Sequence, residues 1–259
     1  PKRKLQNFAV TLSEATKTKR TNNLKKEVKE NFARMETEYN LSFRQEETGV
    51  LLTAKVTECK TFCDYHEDVS ENPYEVNEPV LRQVTGQYGV LDVINSGSCV
   101  ELDEQTIELI AELVKEKHIH TLWFEAHYMY RKRLAAFAAQ FAPAEVKFRC
   151  GVETFDPTLR SLWKKGIPEH VSATDIAQYF QGICLLCCTQ GDSKVRILND
   201  IALAKKHFEY FSVNVFCNNS TDVKLDTELA EWFRNHVAPT LADDNMIEVL
   251  MENTDLGVG

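Results

Sequence analysis

The chain has 259 residues, of which 43% are hydrophobic, and its formal net charge is −9 at pH 7. This content suffices for one full α/β core. The negative charge excludes a general nucleic-acid or membrane-surface binder, because both classes need positive potential, and we expect neither a nucleic acid nor a membrane as partner. No apolar run approaches the roughly 18 residues that a membrane span needs, and the beginning of the chain has no apolar region typical of a secretory signal.

Cysteine usage indicates the compartment. Most of the cysteines lie in apolar stretches such as GICLLCC at 182–188, which is not the pattern of the disulfide framework of a short secreted chain. The sequence therefore predicts a cytoplasmic protein with reduced thiols. The eight positions are Cys59, Cys63, Cys99, Cys150, Cys184, Cys187, Cys188 and Cys217.

Residues 1–45 predict a basic, helical N-terminal segment with a solvated surface, since lysines cluster at 2–4 and 17–26. Apolar, β-rich runs then recur at regular intervals and predict strands at 49–56, 88–94, 121–125, 146–152, 183–187, 211–216 and 247–251. Amphipathic runs between them predict helices at 103–117, 130–141, 157–164, 173–180, 194–208 and 226–237.

This alternation of strand and helix predicts a parallel sheet, because parallel neighbours need a crossover connection. We therefore expect the α/β class, a full or partial (β/α) TIM-type barrel of parallel strands, in a single domain over residues 46–259. One connection, 59–87, is long and has no clear helical period. In a parallel barrel it opens onto the C-terminal, catalytic face, so we expect it to be functional.

That connection begins with Cys59, Cys63 and His66 in the spacing C-x3-C-x2-H. Two thiolates and an imidazole within eight residues can hold one metal centre, although two cysteines four apart can also simply share a helix face. Placement directly after the first predicted strand favours a metal site.

The segment resembles the C-x3-C-x2-C signature of the radical-SAM superfamily. In that family three cysteines hold a 4Fe–4S cluster, and the open iron binds S-adenosylmethionine, whose reductive cleavage forms a 5′-deoxyadenosyl radical. The resemblance implies that Cys59 and Cys63 are cluster ligands and that His66 takes the third position. It also implies that Tyr65 lies beside the cofactor's adenine.

Further matches follow in the family's order, each at a predicted strand end. Asn95-Ser96-Gly97-Ser98 resembles an N-S-G-S turn, Glu125 occupies the place of an E-x-R-P segment without its Arg-Pro, and Glu153 lies in a G-x-E-T segment. The resemblance implies that Asn95, Ser96, Gly97, Ser98, Glu125 and Glu153 bind S-adenosylmethionine. The segments around Gly166 and Asn218 resemble the family's later polar turns.

The histidine is the departure from the family. Imidazole ligates iron in Rieske centres and raises their potential, so His66 is a competent ligand that makes the cluster harder to reduce. The alternative is a degenerate barrel that has lost its cluster. A different class, a zinc-dependent hydrolase using Cys59, Cys63 and His66, also fits the spacing.

The compact, acidic chain is similar to the queuine lyase subgroup of queuosine salvage. This implies a lyase that cleaves the C–N bond of queuine, or acts on another deazaguanine, and releases 7-aminomethyl-7-deazaguanine. A flavodoxin or ferredoxin is the expected electron donor. The alternatives are a radical-SAM enzyme acting on another small metabolite, and a barrel that only binds a nucleoside.

Several residues outside these motifs are candidates for substrate binding or for a structural role. His127, just past the third strand, and Asn218 are candidates for substrate binding, and Cys99 is a spare thiol near the turn. Lys117–His120 precedes the third strand, so we expect it at the bottom of the barrel and not in a metal site. Cys184, Cys187 and Cys188 are expected to be buried small hydrophobes, and Trp163 and Trp232 to serve packing.

Overall fold

The structure is a computed structural model that describes residues 70–95, 97–219 and 222–251, together with the backbone of a strand at Glu47–Leu52. Its strands are β1 (Glu47–Leu52), β2 (Val90–Asn95), β3 (Thr121–Glu125), β4 (Glu145–Glu153), β5 (Gly182–Cys187), β6 (Tyr210–Val215) and β7 (Ile247–Leu250). Its α-helices are α1 (Pro73–Leu81), α2 (Glu104–Glu116), α3 (Leu134–Ala138), α4 (Pro157–Leu162), α5 (Ala173–Ala177), α6 (Lys194–His207), α7 (Thr227–Trp232) and α8 (Ala238–Leu241). Short 3₁₀ turns follow β2 and β3 and extend α3, and a π-helical turn joins α7 to α8.

The strands form one sheet in the order β1-β2-β3-β4-β5-β6-β7, and every neighbouring pair is parallel. Helices or helical turns connect the successive strands. Within the described part of the chain β7 does not pair with β1, so the sheet is a partial and not a closed barrel. The predicted fold class is confirmed in its partial form.

The hydrophobic core lies on the helix side of the sheet. In β3, Leu122 and Phe124 are fully buried and share one core cluster with Leu109, Ile110 and Leu113 of α2. Because successive residues of a strand point to opposite faces, the residues between them face the interior of the barrel. That interior face is polar, unlike the outer one, and it carries the candidate site.

The predicted strands agree with the observed ones to within two residues wherever both ends lie in the described part of the chain. The predicted helix at 130–141 is interrupted. Only Leu134–Ala138 is α-helical, with a 3₁₀ turn on either side, and the buried side chains of Leu134, Phe137 and Phe141 anchor this short crossover. The predicted helix at 226–237 divides into α7 and the π-helical turn.

The expectation that the connection at 59–87 has no helix was wrong, because α1 spans Pro73–Leu81. Proline at the first position favours a helix start. The buried residues, Pro73, Asn77 and Leu81, recur every four positions, but Asn77 is polar and hydrogen-bonds Thr106 of α2 at 3.1 Å. A polar residue on the buried face hides the helical period in the sequence.

His120 confirms the placement of the 117–120 segment at the bottom of the barrel: its backbone N–H donates to the carbonyl of Gly89, immediately before β2. No helix among the described residues combines the length and apolar character needed to cross a membrane.

Candidate active site

A buried arginine forms the floor of the barrel interior. The Arg149 guanidinium, on β4, donates to the Asp92 carboxylate on β2 and lies 5.8 Å from the ring of Trp123 and 5.4 Å from that of Tyr210. Burial alone lowers the pKa of Arg149, but Asp92 and Glu125 raise it well above its usual value, so it stays charged. Gly182 makes room, since a Cβ there would lie 2.8 Å from Arg149 Cγ.

Glu125 stands above this floor, at the carboxyl end of β3. Its Oε1 lies 3.5 Å from Arg149 Nε and 3.9 Å from the Cys184 thiol on β5, and its side chain remains 31% exposed. Burial raises the pKa of Glu125, while Arg149 acts in the opposite direction and Asp92 adds to the rise. Glu125 is therefore a carboxyl group whose negative charge is only partly balanced by the positive charge of Arg149.

Glu153 ends β4 and forms an ion pair with Lys165, which follows α4; Lys165 Nζ lies 3.0 Å from Glu153 Oε1. Both side chains are largely buried, and Glu153 has a φ of 63°, in the left-handed region. Such backbone strain costs about 1–3 kcal/mol and clusters at functional sites. At Gly151 an added Cβ would lie 3.2 Å from Glu153 Oε1, so a glycine leaves space beside the pair.

Asn95, the last residue of β2, is buried, and within the described part of the chain neither Oδ1 nor Nδ2 of its amide has a hydrogen-bond partner. A buried amide without partners costs about 1–3 kcal/mol, and a polar ligand group can recover this cost. In the turn that follows, Gly97 is half-buried and the Ser98 hydroxyl accepts a hydrogen bond from the backbone N–H of His127 at 3.0 Å.

His127 links the loops above β2, β3 and β4. Besides its backbone bond to Ser98, its ring Nε2 contacts the carbonyl of Lys165, and its Nδ1 accepts from the N–H of Met129 at 3.2 Å. Burial lowers the pKa of His127, and the nearby Lys165 charge adds to that effect. Its contact with a substrate stays a prediction.

Asn218 lies three residues beyond β6 and is exposed; its Oδ1 accepts a hydrogen bond from the backbone N–H of Leu225 at 2.8 Å. Its role in substrate binding also stays a prediction.

Cys99 is buried, and burial raises the pKa of its thiol.

The proposed cluster ligands Cys59, Cys63 and His66, together with Tyr65 and Ser96, lie outside the described residues. The backbone of β1 pairs with β2 so that Leu52 stands opposite Asn95, at the carboxyl edge of the sheet. Within the described ranges no group of three or more His, Cys, Asp or Glu is arranged to hold a metal ion.

Sequence reasoning missed three contributors to this site. The sequence pattern singles out neither Asp92 nor Arg149, and it predicts Cys184 to be a buried small hydrophobe. In the structure Cys184 is half-buried on the interior face, next to Glu125. The available signal was the alternation of β5, in which Gly182, Cys184 and Leu186 face one side.

No family model matches the chain, and a search of curated proteins also finds no match. Among solved structures, the chain is similar to a queuine lyase from Clostridium spiroforme bound to SAM and queuine, with a TM-score of 0.76 and 38% sequence identity. The match covers 81% of this chain and 92% of that chain.

The partial parallel barrel, with its polar groups gathered at the carboxyl ends of the strands, places the chain among enzymes with the radical-SAM fold. At 38% identity over most of both chains, it belongs to the queuine lyase family. Membership of this family excludes the alternative that the chain is a zinc-dependent hydrolase.

Proposed function

We propose that this protein is a radical-SAM lyase that cleaves the C–N bond of queuine and releases 7-aminomethyl-7-deazaguanine for queuosine salvage. The observation that carries the proposal is the 38% identity, over 92% of its length, to a queuine lyase whose structure contains both SAM and queuine. The polar barrel interior supports it, because a polar base needs buried hydrogen-bonding groups that an apolar core lacks.

The described residues fit S-adenosylmethionine. The Asn95 amide is buried without partners at the carboxyl end of β2, and the Glu153 carboxylate ends β4 beside the space left by Gly151. An amide and a carboxylate suit the polar groups of an amino-acid moiety. We assign cofactor binding to Asn95, Ser96, Gly97, Ser98 and Glu153, and we assign Tyr65 to the adenine.

We assign the 4Fe–4S cluster to Cys59, Cys63 and His66. Thiolates are the usual ligands of such clusters, and imidazole ligates iron in the related Rieske centres. The described backbone of β1 reaches Leu52, which stands opposite the proposed cofactor residue Asn95, and Cys59 follows seven residues later in the chain. Together the cluster and S-adenosylmethionine supply one-electron radical chemistry, with a flavodoxin or ferredoxin as the electron donor.

This chain's own residues hold and orient the reactants. The Lys165 ammonium holds the Glu153 carboxylate in place by an ion pair, and His127 ties the turn after β2 to the loop that carries Lys165. The Arg149 floor closes the barrel below the site and limits how deep a substrate can enter. The contacts of His127 and Lys165 thereby hold these two loops in fixed positions relative to each other.

The test is an anaerobic reaction of the reconstituted protein with S-adenosylmethionine, queuine and dithionite, followed by mass spectrometry. We expect 5′-deoxyadenosine and 7-aminomethyl-7-deazaguanine, with neither product from the Cys59→Ala variant. Formation of 7-aminomethyl-7-deazaguanine without S-adenosylmethionine would contradict the radical route. If another metabolite stimulates cleavage of S-adenosylmethionine and queuine does not, that metabolite and not queuine is the substrate.

A further inference from the structure

The barrel interior carries a carboxylate whose hydrogen-bonding capacity is unused. Within the described part of the chain, Glu125 accepts no hydrogen bond from a nitrogen or oxygen donor, and its one hydrogen-bond contact is the weak thiol donor of Cys184 at 3.9 Å. Even Arg149 Nε, 3.5 Å away, makes no hydrogen bond to it. A carboxylate in this position needs a donor from elsewhere.

The charges around Glu125 are already paired with one another. Arg149 is hydrogen-bonded to Asp92, and Glu153 is hydrogen-bonded to Lys165. Arg149 is shared between Asp92, to which it is hydrogen-bonded, and Glu125, with which it forms a longer ion pair of 3.5 Å. The five groups Asp92, Glu125, Glu153, Arg149 and Lys165 together carry three negative charges and two positive ones, so one negative charge remains in excess. A buried charge is costly unless an opposite charge joins it, and a cationic ligand satisfies this need.

The position of Glu125 suits a substrate group. It lies directly above the Arg149 floor, in the middle of the sheet, and its side chain is 31% exposed. The proposed cofactor residue Asn95 lies instead on β2, next to the strand that leads to the cluster ligands. The small residue Cys184 on β5 is the neighbour of Glu125 across the interior, and Gly151 on β4 leaves space beside the Glu153–Lys165 pair.

Building on the proposed function, we infer that Glu125 binds the cationic secondary amine of queuine, at the C–N bond that is cleaved. A secondary ammonium carries two N–H donors and one positive charge, which are what the Glu125 carboxylate lacks. This assignment replaces the expected contact of Glu125 with S-adenosylmethionine. It also predicts that the site favours queuine over neutral deazaguanines, since only an amine supplies the charge.

The inference also predicts a pH dependence. The titratable and charged groups that face Glu125 are Asp92, Arg149, Glu153, Lys165 and Cys184. Since burial raises the pKa of Glu125, acidification protonates it earlier than an exposed glutamate and removes the charge that holds the amine. Queuine binding should therefore weaken as the pH falls.

The test is calorimetric titration of the anaerobically reconstituted holoenzyme with queuine, with 7-methyl-7-deazaguanine as a neutral analogue, and with S-adenosylmethionine. For Glu125→Gln we expect about a 10- to 100-fold loss of queuine affinity, the range for a charge-assisted hydrogen bond. Affinity for the neutral analogue and for S-adenosylmethionine should stay within about twofold. Glu125→Asp keeps the charge and should lose less than Glu125→Gln.

The matched control is Glu248→Gln on β7, a second interior carboxylate that accepts a hydrogen bond from the Tyr210 hydroxyl. It should retain the affinity for queuine. Equal queuine affinity in Glu125→Gln and wild type, or a loss in Glu248→Gln alone, would overturn the inference while leaving the proposed function intact. A wild type that binds S-adenosylmethionine but not queuine would overturn the proposed function and, with it, this inference.

Discussion

The ammonium of Lys165 lies 3.0 Å from Oε1 of Glu153, and the two side chains are only 9% and 12% exposed. The pair connects the strained end of β4 to the loop after α4, twelve residues further along the chain. Because that loop also contacts His127, the ion pair holds two walls of the proposed site together.

Removing one partner of this pair should destabilise the protein. Lys165→Met leaves Glu153 buried without its cation, and we expect the free energy of unfolding to fall by about 3 kcal/mol. In the double variant Lys165→Met/Glu153→Gln neither position carries a charge, so no member of this pair is left buried without its partner and most of that loss should be recovered. Urea-induced unfolding measures both. A double variant no more stable than Lys165→Met would show that the pairing contributes little.

Replacing Asn95 with an apolar residue should raise the stability of the ligand-free protein and weaken the binding of S-adenosylmethionine. Asn95→Leu removes a buried amide without partners, so we expect the ligand-free protein to gain about 1–2 kcal/mol and to melt a few degrees higher. Affinity for S-adenosylmethionine should fall about tenfold. Differential scanning calorimetry and titration measure the two effects.

The control for this substitution is Asn77→Leu, in which the same change removes an amide that bonds Thr106 at 3.1 Å. That variant should be less stable than wild type. If Asn95→Leu is destabilised to the same extent, the Asn95 amide has a partner in solution and its assignment to the cofactor loses its basis.

His127 should make stability depend on pH. Its pKa is lowered in the folded state by burial, so between the folded and unfolded pKa values the unfolded chain binds more protons. Stability from this residue is therefore fully present above the unfolded pKa, near 6.5, and is lost as the pH falls towards the folded value. Urea midpoints measured between about pH 7.5 and pH 5 should decline less steeply in His127→Gln. Parallel slopes would contradict the prediction.

The cluster ligands can be tested without measuring turnover. Thiolates supply most of the affinity for iron, so Cys59→Ala and Cys63→Ala should abolish the cluster, as iron and sulfide analysis will report. His66→Cys should keep the cluster and lower its potential, because a thiolate adds a negative charge. His66→Ala should leave a labile cluster. Wild-type iron content in His66→Ala, with a potential unchanged in His66→Cys, would show that another group completes the site.

Much of the fold was predictable because its determinants are local. The apolar run at 121–125 coincides with β3, and Asp156 followed by Pro157 marks the start of α4, where the Asp156 side chain accepts the Leu159 N–H. The helix α1 was not predictable, since its buried face includes the polar Asn77, whose partner Thr106 lies 29 residues away. A polar residue is buried only where a hydrogen-bonding partner meets it, and a distant partner leaves no trace in the local hydrophobic pattern.

The sequence by itself determined the order of strands and helices, the parallel sheet, and the placement of Asn95, Glu125 and Glu153 at strand ends, because hydrophobic periodicity and turn residues act over short distances. Only the tertiary structure decided which charges meet. Asp92 and Arg149 are 57 residues apart, yet their hydrogen-bonded pairing in the barrel interior leaves Glu125 with only a longer ion pair to Arg149, at 3.5 Å. Ion pairs form across neighbouring and facing strands, so their partners depend on sheet register and closure, which no local pattern specifies.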